Sequence, residues 1–320
     1  MGTLLFIVKF LVGLVLIIKG ADWLTDGASA IARRFSIPSL VIGLTIVAFG
    51  TSAPELVVSV VSAIERKTEM AIGNAVGSVT ANTALIMAIA MIAMSITCLR
   101  KQYLQQILLL IAAATGVYVF CLPGELGLFG GVVLMLILIL FMTSNIVSAR
   151  REAKAAAEAE EGEKQRESKL RIFLHILLFI VGAAAIVIGS RLMVDNGSQI
   201  AARLGVPERI IAVTMIAVGT SLPELVTTVT AIIKKESALS IGNVIGANII
   251  DLTLILPLCS LVSGRPLPVS GSSLTLDLPV CLGATLIAVV PLIIRQKSSR
   301  VQGIVLLAGY IAYVVLVVVN

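Results

Sequence analysis

Two six-residue stretches, GTSAPE at 50–55 and GTSLPE at 219–224, each put a glutamate inside a long apolar run. An acid at the centre of a membrane helix costs about 2.5–3.5 kcal/mol on insertion scales, so its default reading is functional. Of the 18 acidic residues, Glu55, Glu224 and Asp251 lie well inside apolar stretches, and nearly all the others fall in loops or at the ends of such stretches. Both motifs also match Ser-x-x-Glu, in which serine and glutamate side chains satisfy backbone N–H groups at a helix start. Pro54 and Pro223 suit a first helical turn and Gly50 and Gly219 loosen the turn before it, so each motif is expected to break a helix. A neutral glutamine would cap equally well. The ionisable group therefore implies capping together with ion ligation.

The segments that follow carry a second polar series. Asn74, Ser78 and Asn82 are spaced by four and share one helical face, and the second copy reads Asn243, Ala247, Asp251. Small residues run alongside, Gly73, Gly77 and Ala81 in one copy, Gly242 and Gly246 in the other, which permits close approach of a neighbouring helix. The candidate ligand set is thus Glu55, Glu224, Ser78, Asn82 and Asp251, the hydroxyls of Thr51, Ser52, Thr220 and Ser221, and backbone carbonyls near Ala48 and Ala217 freed by the breaks. Every group offers oxygen and none offers thiolate or imidazole, a donor set that selects hard cations such as Ca²⁺ and Na⁺ over zinc or copper. Ca²⁺ takes six to eight oxygens, and a glutamate pair balances its charge.

The elements that hold these residues are membrane helices. The 320-residue chain is 58% hydrophobic and 13% charged, against about 25% charged residues in soluble domains, and its mean hydropathy is +1.07. Apolar runs long enough to span a bilayer are expected at 3–18, 39–64, 71–97, 103–121, 125–147, 172–193, 207–233, 238–262, 276–294 and 302–319. The first run lacks a basic lead-in and a cleavage site and is read as a span, not a signal peptide. The net charge of +6 reports orientation, not a nucleic-acid partner. With the N-terminus outside, Lys19, Arg33, Arg34, Arg100, Lys101, the basic residues of 149–171, Lys234, Lys235, Arg295, Lys297 and Arg300 all fall on the cytoplasmic side. Cys98, Cys121, Cys259 and Cys281 have no metal-ligand spacing and read as ordinary buried thiols, and His175 as an interfacial or packed side chain.

Shifted by 169 residues, the chain overlays itself from Gly20 to Ile86 without a gap, Gly20 on Gly189, Pro38 on Pro207, Thr45 on Thr214 and Gly73-Asn74 on Gly242-Asn243. The offset contains five spans, and an odd number inverts the second copy. The expected fold is an all-α integral membrane protein of ten transmembrane helices, two inverted five-helix repeats with broken helices at the midplane. Residues 1–148 form the first repeat, 149–170 a charged, partly helical cytoplasmic linker, and 171–320 the second repeat.

At GTSAPELVVS…AIGNAVGSVTAN and GTSLPELVTT…SIGNVIGANIID the sequence resembles the sodium/calcium exchanger branch of the cation/calcium exchanger superfamily. The resemblance implies that Glu55 and Glu224 bind Ca²⁺ and Na⁺ in competition, with Thr51, Ser52, Thr220, Ser221, Asn82 and Asp251 as further ligands. It departs at Val79, where relatives carry a polar residue, and at Ala247, where they carry a serine that can coordinate sodium. Asp251 stands where potassium-dependent exchangers also have an aspartate, which leaves K⁺ coupling open. Proton/calcium antiporters carry GN-x-x-E in place of GTS-x-PE. The implied function is Na⁺/Ca²⁺ antiport by alternating access across a prokaryotic plasma membrane, with no resident cofactor and no enzymatic step. The first and sixth spans, with Gly13 and Gly182 at matching positions, are the expected sliding elements. The alternatives are proton-coupled or magnesium-type divalent exchange and a channel. An intramembrane aspartyl protease is disfavoured because Asp251 has Asn82 as its counterpart.

Overall fold

The computed structural model describes residues 2–94, 96–97, 100–159, 169–205 and 217–319. The first half comprises α1 (Gly2–Arg34), α2 (Ser39–Thr51), α3 (Ala53–Ile64), α4 (Thr68–Ala93), α5 (Arg100–Cys121) and α6 (Leu128–Ala159). The second comprises α7 (Lys169–Arg203), α8 (Ala217–Thr220), α9 (Leu222–Ile233), α10 (Ser237–Ser263), α11 (Ser273–Arg295) and α12 (Arg300–Val319). Among the described residues, eight helices are long and apolar enough to cross a membrane, and α2 with α3 makes a ninth span bent by 46°. The run at 207–233 is described from 217 onward, as α8 and α9. Pro207, Thr214, Cys98 and residues 160–168 of the linker lie outside the described residues. Cys121, Cys259 and Cys281 are free and buried.

Helices α1 and α7 are longer than their apolar runs. At 33 and 35 residues and 1.5 Å per residue they reach about 50 Å, beyond a hydrocarbon core of about 30 Å. The expected ends near 18 and 193 fail because the pattern continues past them. Ala21, Leu24, Ala28 and Ala32 stay buried at helical spacing while Lys19, Trp23 and Asp26 face outward. The two helices cross through paired glycines, since a Cβ on Gly13 would lie 2.7 Å from the Gly189 carbonyl oxygen and one on Gly20 would lie 2.8 Å from that of Gly182. The repeat offset converts one of these pairs into the other.

Burial separates the helices into a centre and a rim. Over their most apolar stretches α4 and α10 are 78% and 83% buried, whereas α1, α6, α7 and α12 are 22% buried and show Leu4, Leu11, Phe173 and Ile180 to the bilayer. The small-residue row explains how α10 enters the centre. A Cβ on Gly43 of α2 would meet the Leu239 carbonyl at 2.5 Å, and one on Gly242 would meet that of Leu40 at 2.6 Å, so the two backbones touch. Outside the helices, Glu125–Leu126 pairs antiparallel with Leu267–Pro268, and Thr97 bridges Lys297. One contact joins the α5–α6 and α10–α11 connections, the other the α4–α5 and α11–α12 connections, and exchanging the halves turns each into the other.

Candidate cation site

Each motif interrupts a helix as its residues dictate. Ser52, between α2 and α3, has φ −78° and ψ 4°, and Ser221, between α8 and α9, has φ −85° and ψ 4°. Proline has no N–H, so Pro54 and Pro223 leave the carbonyls of Gly50 and Gly219 without their helical donors. The Gly219 carbonyl accepts a hydrogen bond from Ser190 Oγ of α7 at 3.3 Å.

The capping half of the sequence reading is overturned. Neither serine makes a side-chain cap, and both carboxylate oxygens of Glu55 lack a hydrogen-bond partner. Ser52 Oγ instead donates across the molecule to Glu224 Oε1 at 3.3 Å. The expectation of a freed Ala48 carbonyl also fails, because the helix persists to Thr51: that oxygen accepts the Ser52 amide at 2.9 Å and Thr51 Oγ1 at 3.3 Å. Ala217 opens α8.

The remaining expected residues converge. Glu55, Glu224, Asn82 and Asp251 are fully buried, and Thr51, Ser52, Ser78, Thr220 and Ser221 nearly so. The contacts cross between halves: the Thr220 hydroxyl lies against Glu55, Thr51 and Ser52 against Glu224, and Ser52 also against Asp251. Glu55 faces both Glu224 and Asp251. Unpartnered atoms gather here, both carboxylate oxygens of Glu55 and of Asp251, Oε2 of Glu224, both amide atoms of Asn82, and the hydroxyls of Ser78 and Ser221. A buried polar atom left unpaired costs about 1–3 kcal/mol, more when charged, so this group lowers its energy strongly when a cation supplies what the protein does not. Among the described residues no three His, Cys, Asp or Glu side chains form a metal cluster. Neutral hydroxyl, amide and carbonyl oxygens are therefore needed beside the carboxylates to complete a coordination shell of six or more.

Several supports had no clear sequence signal. Asn82 and Asp251 each open a five-residue π-helical turn, Asn82–Ile86 and Asp251–Ile255; such a wide turn re-aims side chains and recurs at functional sites. Asn74 Nδ2 donates to the Glu55 carbonyl at 3.3 Å and to Ser59 Oγ at 2.9 Å, bracing α3 on α4. Asn243 does not copy it; its Oδ1 accepts Thr51 Oγ1 at 3.0 Å. Asn248 Nδ2 donates to Thr83 Oγ1 at 2.8 Å, tying α10 to α4 beside Asp251 and Asn82. The four-residue polar spacing suggested Asn74 and Asn243 as a face, and only their distances reveal that they brace different things.

A family model described as sodium/calcium exchanger protein matches residues 5–147 and 174–319. The chain is 30% identical over 310 residues to the inner membrane protein YrbG of Escherichia coli, covering 95% of this chain and 94% of that one. It is 32% identical over 339 residues to the sodium/calcium exchanger MaX1 of Methanosarcina acetivorans, covering 95% and 96%. A solved structure of the sodium-calcium exchanger NCX_Mj, soaked with 2.5 mM Na⁺ and 0.1 mM Sr²⁺, superposes with a TM-score of 0.83 at 29% identity, covering 98% of this chain and 99% of the other.

Proposed function

The chain belongs to the sodium/calcium exchanger family, and on that premise we propose that it is a secondary active antiporter exchanging Na⁺ for Ca²⁺ by alternating access. The observation that carries the reading is the set of buried, unpartnered oxygens on Glu55, Glu224 and Asp251, each flanked by hydroxyls of the motifs. The cargo is either one Ca²⁺ between Glu55 and Glu224 or several Na⁺ spread over the same carboxylates and Thr51, Ser52, Ser78, Asn82, Thr220 and Ser221. The Ala217 carbonyl, and the Ala48 carbonyl once the Thr51 hydroxyl turns from it toward a cation, complete the shell. Shared ligands make the exchange obligatory, since the empty acids are costly to carry between states. Val79 and Ala247 thin the sodium ligands, and Asp251 keeps K⁺ a candidate co-substrate.

The proposed architecture is two inverted five-helix repeats, 1–148 and 171–320, joined by a cytoplasmic linker at 149–170, with the N-terminus outside. It is supported by the exchange symmetry of the Gly13–Gly189 and Gly20–Gly182 contacts and of the two loop pairings. The solved NCX_Mj structures, soaked in Na⁺ with Sr²⁺ or Ca²⁺, make Na⁺ and Ca²⁺ the first cargo to test.

Radiolabelled Ca²⁺ uptake into proteoliposomes, with sodium, potassium and proton gradients imposed one at a time, tests the coupling. Uptake driven by an outward Na⁺ gradient is expected. Uptake that follows the proton gradient and ignores sodium would assign the chain to proton-coupled exchange, and Ca²⁺ current without any counter-ion would make it a channel.

A further inference from the structure

Resting on the alternating-access reading, we propose that Lys234 with Asp22 and Asp26, and Glu65 with Arg191, are two electrostatic latches of opposite polarity that close the two access paths in turn.

Lys234 ends α9 and is bound to α1. Its Nζ lies 2.7 Å from Asp26 Oδ1, 3.4 Å from Asp22 Oδ1 and 3.1 Å from the Asp22 carbonyl. Helix α1 packs along α9 on this side, and Arg33 of α1 reaches Glu236 just beyond it at 3.7 Å. Helices α1 and α9 are thus tied together at this end, and Glu224 behind them is fully buried.

The repeat offset places Glu65 on Lys234, Arg191 on Asp22 and Asp195 on Asp26. At the first two positions cation and anion have changed places, and the third keeps its acid. On the Lys234 side the base sits on the motif helix and the acids on the long helix; on the other side the acid ends α3 and the base sits on α7. There the helices stand apart, because α7 makes no packing with α3 comparable to that of α1 with α9. A cavity of about 500 Å³ opens between them, running from Glu65 and Arg191 past Val57 and Val61 to Pro54 and Thr220 of the two motifs. Glu65 is turned to Lys67 at 2.8 Å, and among the described residues Arg191 forms no ion pair. Among the described residues the cavity walls are largely apolar, and the charges gather at its mouth. Asp195, one turn beyond Arg191, lines the same cavity and shares that guanidinium when the mouth closes.

The polarity reversal makes the latches unequal. A cation at a helix C-terminus is favoured by the backbone dipole and an anion is disfavoured. Lys234 at the end of α9 therefore holds in the geometry its helix prefers, while Glu65 at the end of α3 opposes its helix and is released more readily. The closed Lys234 side and the open Glu65 side follow from that difference.

The test uses full-length protein in proteoliposomes, with the native cysteines replaced by alanine and spin labels at Ile64→Cys and Ile188→Cys, lipid-facing positions on α3 and α7. The labelled parent, with both latches intact, is expected to show two label separations. Arg191→Glu and Glu65→Arg should each deplete the shorter one roughly fivefold, the upper range for a solvent-exposed ion pair, and slow Ca²⁺ turnover without changing the Ca²⁺ KM. The double swap Glu65→Arg with Arg191→Glu should restore both. A single separation in the parent, single variants indistinguishable from it, or a swap that stays defective would each overturn the latches. Flux that persists with such results leaves the exchanger reading standing, whereas latch-dependent separations without Na⁺-driven flux would support the latches and sink that reading.

Discussion

The two GTS-x-PE motifs carry nearly the same residues and are held in different ways. In the first, Asn74 braces the Glu55 carbonyl and Ser59, while the Gly50 carbonyl has Ala21 where its counterpart has Ser190. In the second, Ser190 supports the Gly219 carbonyl, but Asn243 has left its own half for Thr51, so its Nδ2 and the Thr228 hydroxyl stay unpartnered. The charge is unequal too, with Glu55 and neutral Asn82 on one side against Glu224 and Asp251 on the other. Because each glutamate is served by hydroxyls from the opposite motif, the site exists only when the halves are apposed. Around two similar motifs, single side-chain differences give one a rigid brace and the other a cross-link.

Neutralising either motif acid should break both halves at once. Glu55→Gln or Glu224→Gln is expected to reduce Na⁺-driven Ca²⁺ uptake by at least about 100-fold, the loss of a charged, desolvated ligand; full flux in either variant would mean that the acids do not hold the cargo. Equalising the halves is gentler. Asp251→Asn should lower Ca²⁺ flux by roughly tenfold, as loss of one charged ligand among several, and Asn82→Asp added to it should recover part of that loss if only the total charge at the crossing matters.

The braces separate stability from binding. Asn74→Ala removes the second donor to the Glu55 carbonyl and the partner of buried Ser59 Oγ and should cost about 1–2 kcal/mol, read as a lower Tm in detergent. Asn243→Ala should also lower Tm, by about 1–2 kcal/mol of stability, and in addition weaken Na⁺ binding by freeing Thr51, read by Na⁺ competition against bound Ca²⁺. The smallest effect belongs to the glycine carbonyls: Ser190→Ala should cost about 1 kcal/mol, and Ala21→Ser should return a similar amount by giving Gly50 the donor its half lacks.

The periodicities that were legible in the sequence are those with a single physical cause. Long apolar runs, prolines that remove a donor, and acids where acids are costly pointed to broken helices with Glu55, Glu224 and Asp251 at their meeting point, and the offset paired Gly13 with Gly182. What was not legible depends on distance between remote segments. Ser-x-x-Glu reads equally as a cap, and only the position of Glu224 beside Ser52 decides that the serine crosses the molecule instead. The π-turns at Asn82 and Asp251 leave no mark in composition. The lengths of α1 and α7 were underestimated because Lys19, Asp22 and Arg191 look like ends until the buried stripe beside them is followed onward.

The most direct test of cation-neutralised acids is anomalous diffraction from crystals soaked in Sr²⁺ at low and at high Na⁺. Low sodium should give a strong peak between the Glu55 and Glu224 carboxylates that fades as sodium rises; saturating Sr²⁺ with no peak there, in the wild-type chain, would contradict it.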